Sequence, residues 1–205
     1  MPGQEIIKLD EPDISGGQPL FKLLNQRRSL RSYANQALDL KTLAQLLWAS
    51  QGVKMGQFGH GLRTAPSAGA LYPIELYVAA NNIIGLEPGI YRYEALEHGL
   101  KAIRLGSYGH QLTRAALGQE MLEEAPCAFS YVANPMKSQI KYGDRAYRYI
   151  YLEAGHIAQN TILAAESCGL GTCNIGAFYD GEMNDILNLG KAETIVYITV
   201  IGYKK

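Results

Sequence analysis

Cysteine is scarce in this chain: three occur in 205 residues, Cys127, Cys168 and Cys173. They form no CxxC pair, and an odd number argues against a disulfide framework. Histidine is equally sparse, four in all with no HExxH-type spacing, so no metal site is expected. Neither sign of charge is in excess. Nineteen Lys and Arg balance nineteen Asp and Glu, leaving no global field to draw the chain onto nucleic acid or an anionic membrane. No apolar run is long enough to span a bilayer, and Met1–Gly17 has no apolar core of the kind a secretory signal needs. GxxxxGK[ST] is absent, and the glycines from Gly169 to Gly176 are not a dinucleotide fingerprint, because position 174 is Asn174. These absences describe a soluble, cytoplasmic protein without a membrane or nucleic-acid partner.

What is present is an ordinary globular balance, 47% apolar and 19% charged, in a length that supports one domain over residues 1–205. Residues 1–17 read as an extended arm with Pro2, Pro12 and a closing Gly16-Gly17. Pro19–Arg27 reads as a short helix with Leu20, Phe21, Leu23 and Leu24 on its apolar face. Asp39 caps a second helix, Leu40–Ser50, with Leu43, Leu46, Leu47 and Trp48 inward and Gly52 at its end. Lys54–Gly61 is Gly-rich and is expected to be mobile, and Arg63–Pro73 is a loop. Glu75–Ala80 and Cys127–Ala133 are strands, the second buried. Gly89–Tyr93 and Lys101–Leu105 form a hairpin around Glu97-His98-Gly99. Ser107 caps a helix to about Leu117. A long helix, Asp144 to about Cys168, is apolar on every side and ends at Gly169, so it is expected to be buried. A short helix from Asp180 and a β-branched strand, Thr194–Gly202, close the chain. The order is that of an α+β fold with a mainly antiparallel central sheet flanked by helices.

Four stretches can carry chemistry. In Arg27-Arg28-Ser29-Leu30-Arg31, three guanidiniums and a hydroxyl suit a phosphate, and equally suit a solvated helix end. Ala65-Pro66-Ser67-Ala68-Gly69 imitates a nucleophile elbow but lacks the preceding strand and following helix; its small residues let backbone approach a planar ligand. Lys141-Tyr142, just before the long helix, can act as an acid/base couple in a cleft or lie at the surface. Glu153 and His156, three apart on that helix, read as an internal pair rather than catalysts. Fourteen tyrosines exceed what a core needs and suit surfaces that stack on a ring or a partner.

Taken together, RRSLR, RTAPSAGALYPIELYV, GIYRYE, KYGDRAYRY-x3-EAGHIAQN and GLG-x4-GAF make the chain resemble the nitroreductase family of FMN-dependent oxidoreductases, and more narrowly its SagB-type dehydrogenases, which include azoline oxidases. The resemblance covers about Ile7 to Gly202. It implies a sandwich fold in an intertwined homodimer with FMN at the interface, and ping-pong hydride transfer through flavin N5. By the same resemblance, Arg27, Arg28, Ser29 and Arg31 hold the FMN phosphate and pyrimidine edge. Pro66, Ser67, Ala68, Gly69 and Leu71 line the ring from the second subunit. Ile175, Gly176 and Ala177 present a backbone N–H to N5, with Leu170 and Gly171 in support. Lys204 or Lys205 reaches the phosphate. Lys141 and Tyr142 match the catalytic pair of azoline oxidases. The implied substrate is a small organic molecule, reduced with NAD(P)H as electron donor, or a peptide heterocycle. A binding protein that stores FMN without turnover is the alternative.

Overall fold

The computed structural model describes residues 5–53 and 61–205, so most of the Gly-rich Lys54–Gly61 stretch lies outside the described residues. β1 (Ile7–Lys8) of the arm pairs with the outer hairpin strand. Helix α1 (Leu20–Gln26) follows, then β2 (Leu38–Asp39) and α2 (Leu40–Gln51). Asp39 caps α2 as expected, its Oδ1 accepting from the Thr42 N–H at 2.7 Å. Next come β3 (Ile74–Ala80), β4 (Ile83–Ile84) and the hairpin β5 (Gly89–Glu94) and β6 (Gly99–Leu105). They are followed by α3 (Gly109–Ala115), α4 (Met121–Glu124), β7 (Cys127–Ala133), α5 (Met136–Tyr142), α6 (Ala146–Ser167), β8 (Leu170–Ile175), α7 (Asp180–Ile186) and β9 (Thr194–Tyr203).

One sheet runs in the order β1-β6-β5-β3-β7-β9-β8, with every neighbouring pair antiparallel. The short β2-β4 pair is parallel. The fold is thus the α+β type with an antiparallel sheet between helical layers. β7, CAFSYVA, is buried along its whole length because both faces are covered. Phe129, Tyr131 and Ala133 meet Leu43 and Leu47 of α2 and Ile150 and Ile157 of α6. Ala128 and Val132 meet Leu112, Met121 and Met183 on the other side. The period-2 alternation of a strand separates the two sets.

Several expectations are corrected. The long helix is preceded by a separate helix, α5, and by a 3₁₀ turn at 143–145. Lys141-Tyr142 therefore ends α5 rather than leading into α6. The Gly169–Gly176 segment is a strand, β8, despite Gly171 and Asn174, because β9 supplies a full ladder from Leu170–Tyr203 to Ile175–Ile198. Ser107 caps nothing: α3 starts after Tyr108 with no side-chain cap. Of the expected α1 face only Leu23 is buried, while Phe21 is 84% exposed. The long helix is buried on one side alone. Tyr147, Tyr151 and Leu152 face outward from the chain. No described helix is long and apolar enough to cross a membrane.

Gly202 of β9 sits where a Cβ would lie 2.8 Å from Tyr33 Cδ1 and 2.9 Å from Pro126 Cδ. Both are ring atoms that cannot swing aside. Gly202→Ala is expected to destabilise the fold by about 1–3 kcal/mol through overpacking, read from the denaturant midpoint. An unchanged midpoint would contradict this packing.

Candidate functional site

The loop from Arg63 to Pro73 is held in an unusual backbone. Gly69 has φ +62°, and the non-glycines Ala70 and Tyr72 also have positive φ. Such conformations persist only where surrounding contacts enforce them. Here the Arg63 N–H donates to Tyr72 Oη at 3.1 Å, and the Arg63 guanidinium lies 4.9 Å above the Tyr72 ring. Arg63 also donates to Gln51 Oε1 at 2.9 Å. The Tyr72 N–H donates to Ser67 Oγ at 2.9 Å, closing the loop on itself. Ser67 in turn donates to Glu153 Oε2 at 2.5 Å, tying the loop to α6.

Gly69 faces Lys141 and Tyr142. A Cβ there would lie 2.8 Å from both Lys141 Nζ and Tyr142 Oη. The loop and the Lys-Tyr pair, about seventy residues apart, are thus one cluster, and glycine is what lets them close. Tyr142 packs on Tyr149 with ring centroids 4.6 Å apart. Lys141 and Pro66 are exposed, and Tyr142, Ser67, Ala68 and Leu71 are half-buried.

Arg27, Arg28, Ser29 and Arg31 lie elsewhere, along the edge strand β8. Ser29 bridges Thr172, and the Leu30 N–H donates to the Thr172 carbonyl at 2.8 Å. Leu30 fills the space over Gly171, leaving no room for a Cβ. The three guanidiniums are exposed and make no ion pair among the described residues. Lys204 Nζ pairs with Glu166 Oε1 at 2.6 Å, whereas Lys205 is exposed with no ion pair among the described residues. Leu170, Gly171 and Ile175 are buried, so they can support a ligand site only from behind. Gly176 and Ala177, past the last ladder pair, reach the surface.

Glu153 is the residue whose place the sequence did not disclose. It does not pair with His156, which is exposed. Glu153 shares a face with Ile150, Ala154 and Ile157 and is only 2% exposed. Its Oε1 has no hydrogen-bond partner among the described residues. Burial pushes its carboxyl up to about 7, against the opposing pull of the Ser67 hydrogen bond and the Arg63 charge. The helical spacing alone was the signal: a glutamate in phase with the apolar stripe.

The sign of the resulting pH dependence is definite. A carboxyl raised in the folded state binds its proton more tightly there than in the unfolded chain. Its ionisation therefore costs stability as pH rises from about 4.5 through about 7. Glu153→Gln is expected to raise the melting temperature at pH 8 relative to the parent, and to do so much less at pH 5. An equal effect at both values would contradict the buried, neutral-leaning carboxyl.

Glu153 and Glu166 are thirteen residues apart on α6. At 1.5 Å per residue, the Ser67 contact and the Lys204 contact are about 20 Å apart along the helix. The loop with its Lys-Tyr pair thus lies toward one end of α6 and the Lys204–Glu166 pair toward the other. A cavity of about 610 Å³ lined by Glu11, Ile14, Trp48, Thr64, Tyr93 and His98 touches the loop at Thr64 and includes none of Ser67, Gly69, Lys141, Tyr142 or Glu153.

The chain is an α+β domain with an antiparallel sheet, a basic strand edge and a small-residue loop closed over Lys141 and Tyr142. The family model described as the nitroreductase family matches residues 24–203, and the chain belongs to that family. It is 40% identical over 185 residues to a protein of Methanocaldococcus jannaschii that bears the name of a nitroreductase, covering 90% of this chain and 91% of that one. A crystal structure named for a nitroreductase from Anabaena variabilis superposes with a TM-score of 0.86 at 30% identity, over 98% of this chain. The chain spans 42% of that longer protein. The Escherichia coli microcin synthetase McbBCD complex, with truncated pro-MccB17 bound, contains a chain that superposes with a TM-score of 0.75 at 25% identity. There the match covers 96% of this chain and 77% of that one.

Proposed function

We propose that the chain is an FMN-dependent oxidoreductase that works as a homodimer, with FMN held where two copies meet. The observation that carries this is the separation along α6. The Lys204 end of α6 and the Ser67–Gly69 loop stand about 20 Å apart in one chain, with the exposed Gly155 and His156 and the half-buried Gln159, Ile162 and Leu163 on the helix between them. A two-fold axis across that face sets two α6 helices antiparallel, and each end of one lies beside the opposite end of the other. A complete site then draws Arg27, Arg28, Ser29, Arg31 and Lys205 from one subunit and Pro66, Ser67, Ala68, Gly69 and Leu71 from its partner copy.

The residues fit the group. The arginines are free to fork onto a phosphate. The loop presents Ser67 and a backbone stripped of bulk at Ala68 and Gly69 to a planar ring. Gly176 and Ala177 offer exposed backbone past the end of β8, with Ile175, Leu170 and Gly171 holding it from behind. FMN, when bound, supplies a ring that accepts a hydride at N5 and passes it on. Lys141 and Tyr142, set against Gly69, are placed to move a proton at a substrate lying on that ring.

Two substrate classes suit this arrangement: a small nitro or quinone-type acceptor reduced with NAD(P)H, and a peptide azoline dehydrogenated to its aromatic form. The contact of Lys141 and Tyr142 with Gly69 favours the second, as does the likeness to a chain of a complex that holds a microcin precursor. Mixing the oxidised flavoprotein anaerobically with NADH, NADPH or an azoline peptide separates them. Fast bleaching by nicotinamide supports the reductase, and bleaching by the azoline alone supports the dehydrogenase. Bleaching by none of them would leave a protein that only stores FMN and would end the catalytic reading.

A further inference from the structure

Ser67 Oγ has one hydrogen and two lone pairs to distribute. One lone pair is committed to the Tyr72 N–H. The remaining lone pair and the hydrogen are divided between Glu153 and whatever lies on the exposed side of the loop. Glu153 Oε2 sits at 2.5 Å, and its Oε1 is buried without a partner among the described residues. The two protonation states of Glu153 therefore leave Ser67 with opposite offerings. When Glu153 is ionised it can only accept, so Ser67 must aim its hydrogen inward and shows a lone pair outward. When Glu153 carries a proton on Oε2 it can donate to Ser67. Both lone pairs of Ser67 are then taken, and the hydroxyl hydrogen is free to point outward.

We propose that Glu153 is a positioning residue that sets, by gaining or losing one proton, whether Ser67 offers the bound cofactor a hydrogen or a lone pair. The inference rests on the reading that the Ser67 loop lines the flavin. An isoalloxazine edge carries several acceptor atoms and a single N–H, so the hydrogen-offering state is the one that binds it better.

The surroundings suit a group that changes charge near neutral pH. Burial holds the carboxyl up to about 7. Arg63 from the loop and Lys137 from α5 pull the other way. Lys137 is itself paired with Glu75 of β3, at 2.8 Å, and Glu75 also lies 3.8 Å from Arg92 of β5. Tyr72 in the loop, and Lys141 and Tyr142 across it at Gly69, complete the polar groups on that side. His156, on the same helix, faces away into solvent. The Ser67 hydrogen bond and the charges of Arg63 and Lys137 thus offset the effect of burial on the carboxyl only in part.

The test has two arms on the full-length protein. Infrared titration without ligand is expected to show one carboxyl titrating near neutral pH, lost in Glu153→Gln and shifted in Ser67→Ala. Ligand affinity is then followed from pH 5 to pH 9 by quenching of flavin fluorescence. FMN and riboflavin are used in parallel, because riboflavin lacks the phosphate that itself titrates. With both, parent affinity is expected to fall by about tenfold as pH rises, the effect of losing one donated hydrogen bond. Glu153→Gln, whose amide donates to Ser67 at every pH, is expected to stay at the tighter limit. Ser67→Ala is expected to stay at the weaker one. A neutral-pH carboxyl missing from the infrared titration, or a parent and Glu153→Gln with the same pH profile, would overturn the switch. No binding of either flavin at any pH would instead overturn the flavin reading, and the infrared arm would still decide whether the Glu153 carboxyl titrates near neutral pH in contact with Ser67.

Discussion

Replacing Arg27 and Ser29 together with alanine is expected to weaken FMN binding by about 2 kcal/mol or more, roughly thirtyfold, through loss of charge-assisted contacts to the phosphate. The physical basis is that the side chains have no other employment. Arg27, Arg28 and Arg31 are exposed and make no ion pair among the described residues, and Ser29 is exposed beside Thr172. What holds this stretch to the sheet is backbone and core: the Leu30 N–H to the Thr172 carbonyl, Leu30 over Gly171, and Tyr33 Oη to the Leu30 carbonyl at 2.8 Å. None of these is removed by the double substitution. The denaturant midpoint of the ligand-free protein is therefore expected to stay where it is while the FMN dissociation constant rises. An unchanged dissociation constant would mean that the run is a solvated helix end and nothing more.

Lys141→Met with Tyr142→Phe is expected to lower turnover of an azoline substrate by about 10²- to 10⁴-fold, the usual range for removing a positioned acid or base. FMN content is measured alongside and turnover expressed per bound FMN, since the pair meets the ring-lining loop at Gly69. The single variants separate the roles. If one group takes the substrate proton and the other only orients it, one single variant will match the double and the other will retain more activity. Undiminished azoline turnover in the double variant would remove both residues from the chemistry. Loss confined to the azoline reaction, with nitro or quinone reduction intact, would locate the pair at the proton-transfer step.

The architecture was largely legible before the structure because its strands are strongly patterned. TIVYITVIG and CAFSYVA have the β-branched and apolar content of interior strands, and Asp39 marks its helix start by capping chemistry that operates locally. The failures have a common origin in tertiary support. LGTCNI carries two residues disfavoured in strands, yet β9 pairs with it throughout, and Leu30 takes up the space that Gly171 leaves. MKSQIKY is too short and polar to show a helical stripe, and Pro135 starts it. The outward tyrosines of α6 looked like core because composition does not distinguish a face buried within a chain from one left free for another chain.

The site was legible in its parts but not in its geometry. Local sequence gives no distance between Gly69 and Lys141, and the Ser67–Glu153 hydrogen bond joins residues 86 positions apart. A buried glutamate also reads like any other helical glutamate until its neighbours are known. The same is true of Lys204, a free terminal cation by sequence, which the structure pairs with Glu166.

The most direct measurement is the absorption spectrum of the purified protein, followed by identification of what it releases on denaturation. The account predicts a yellow protein with a flavin spectrum, releasing FMN at about one molecule per chain, two for each dimer. A colourless protein that fails to take up added FMN would contradict it.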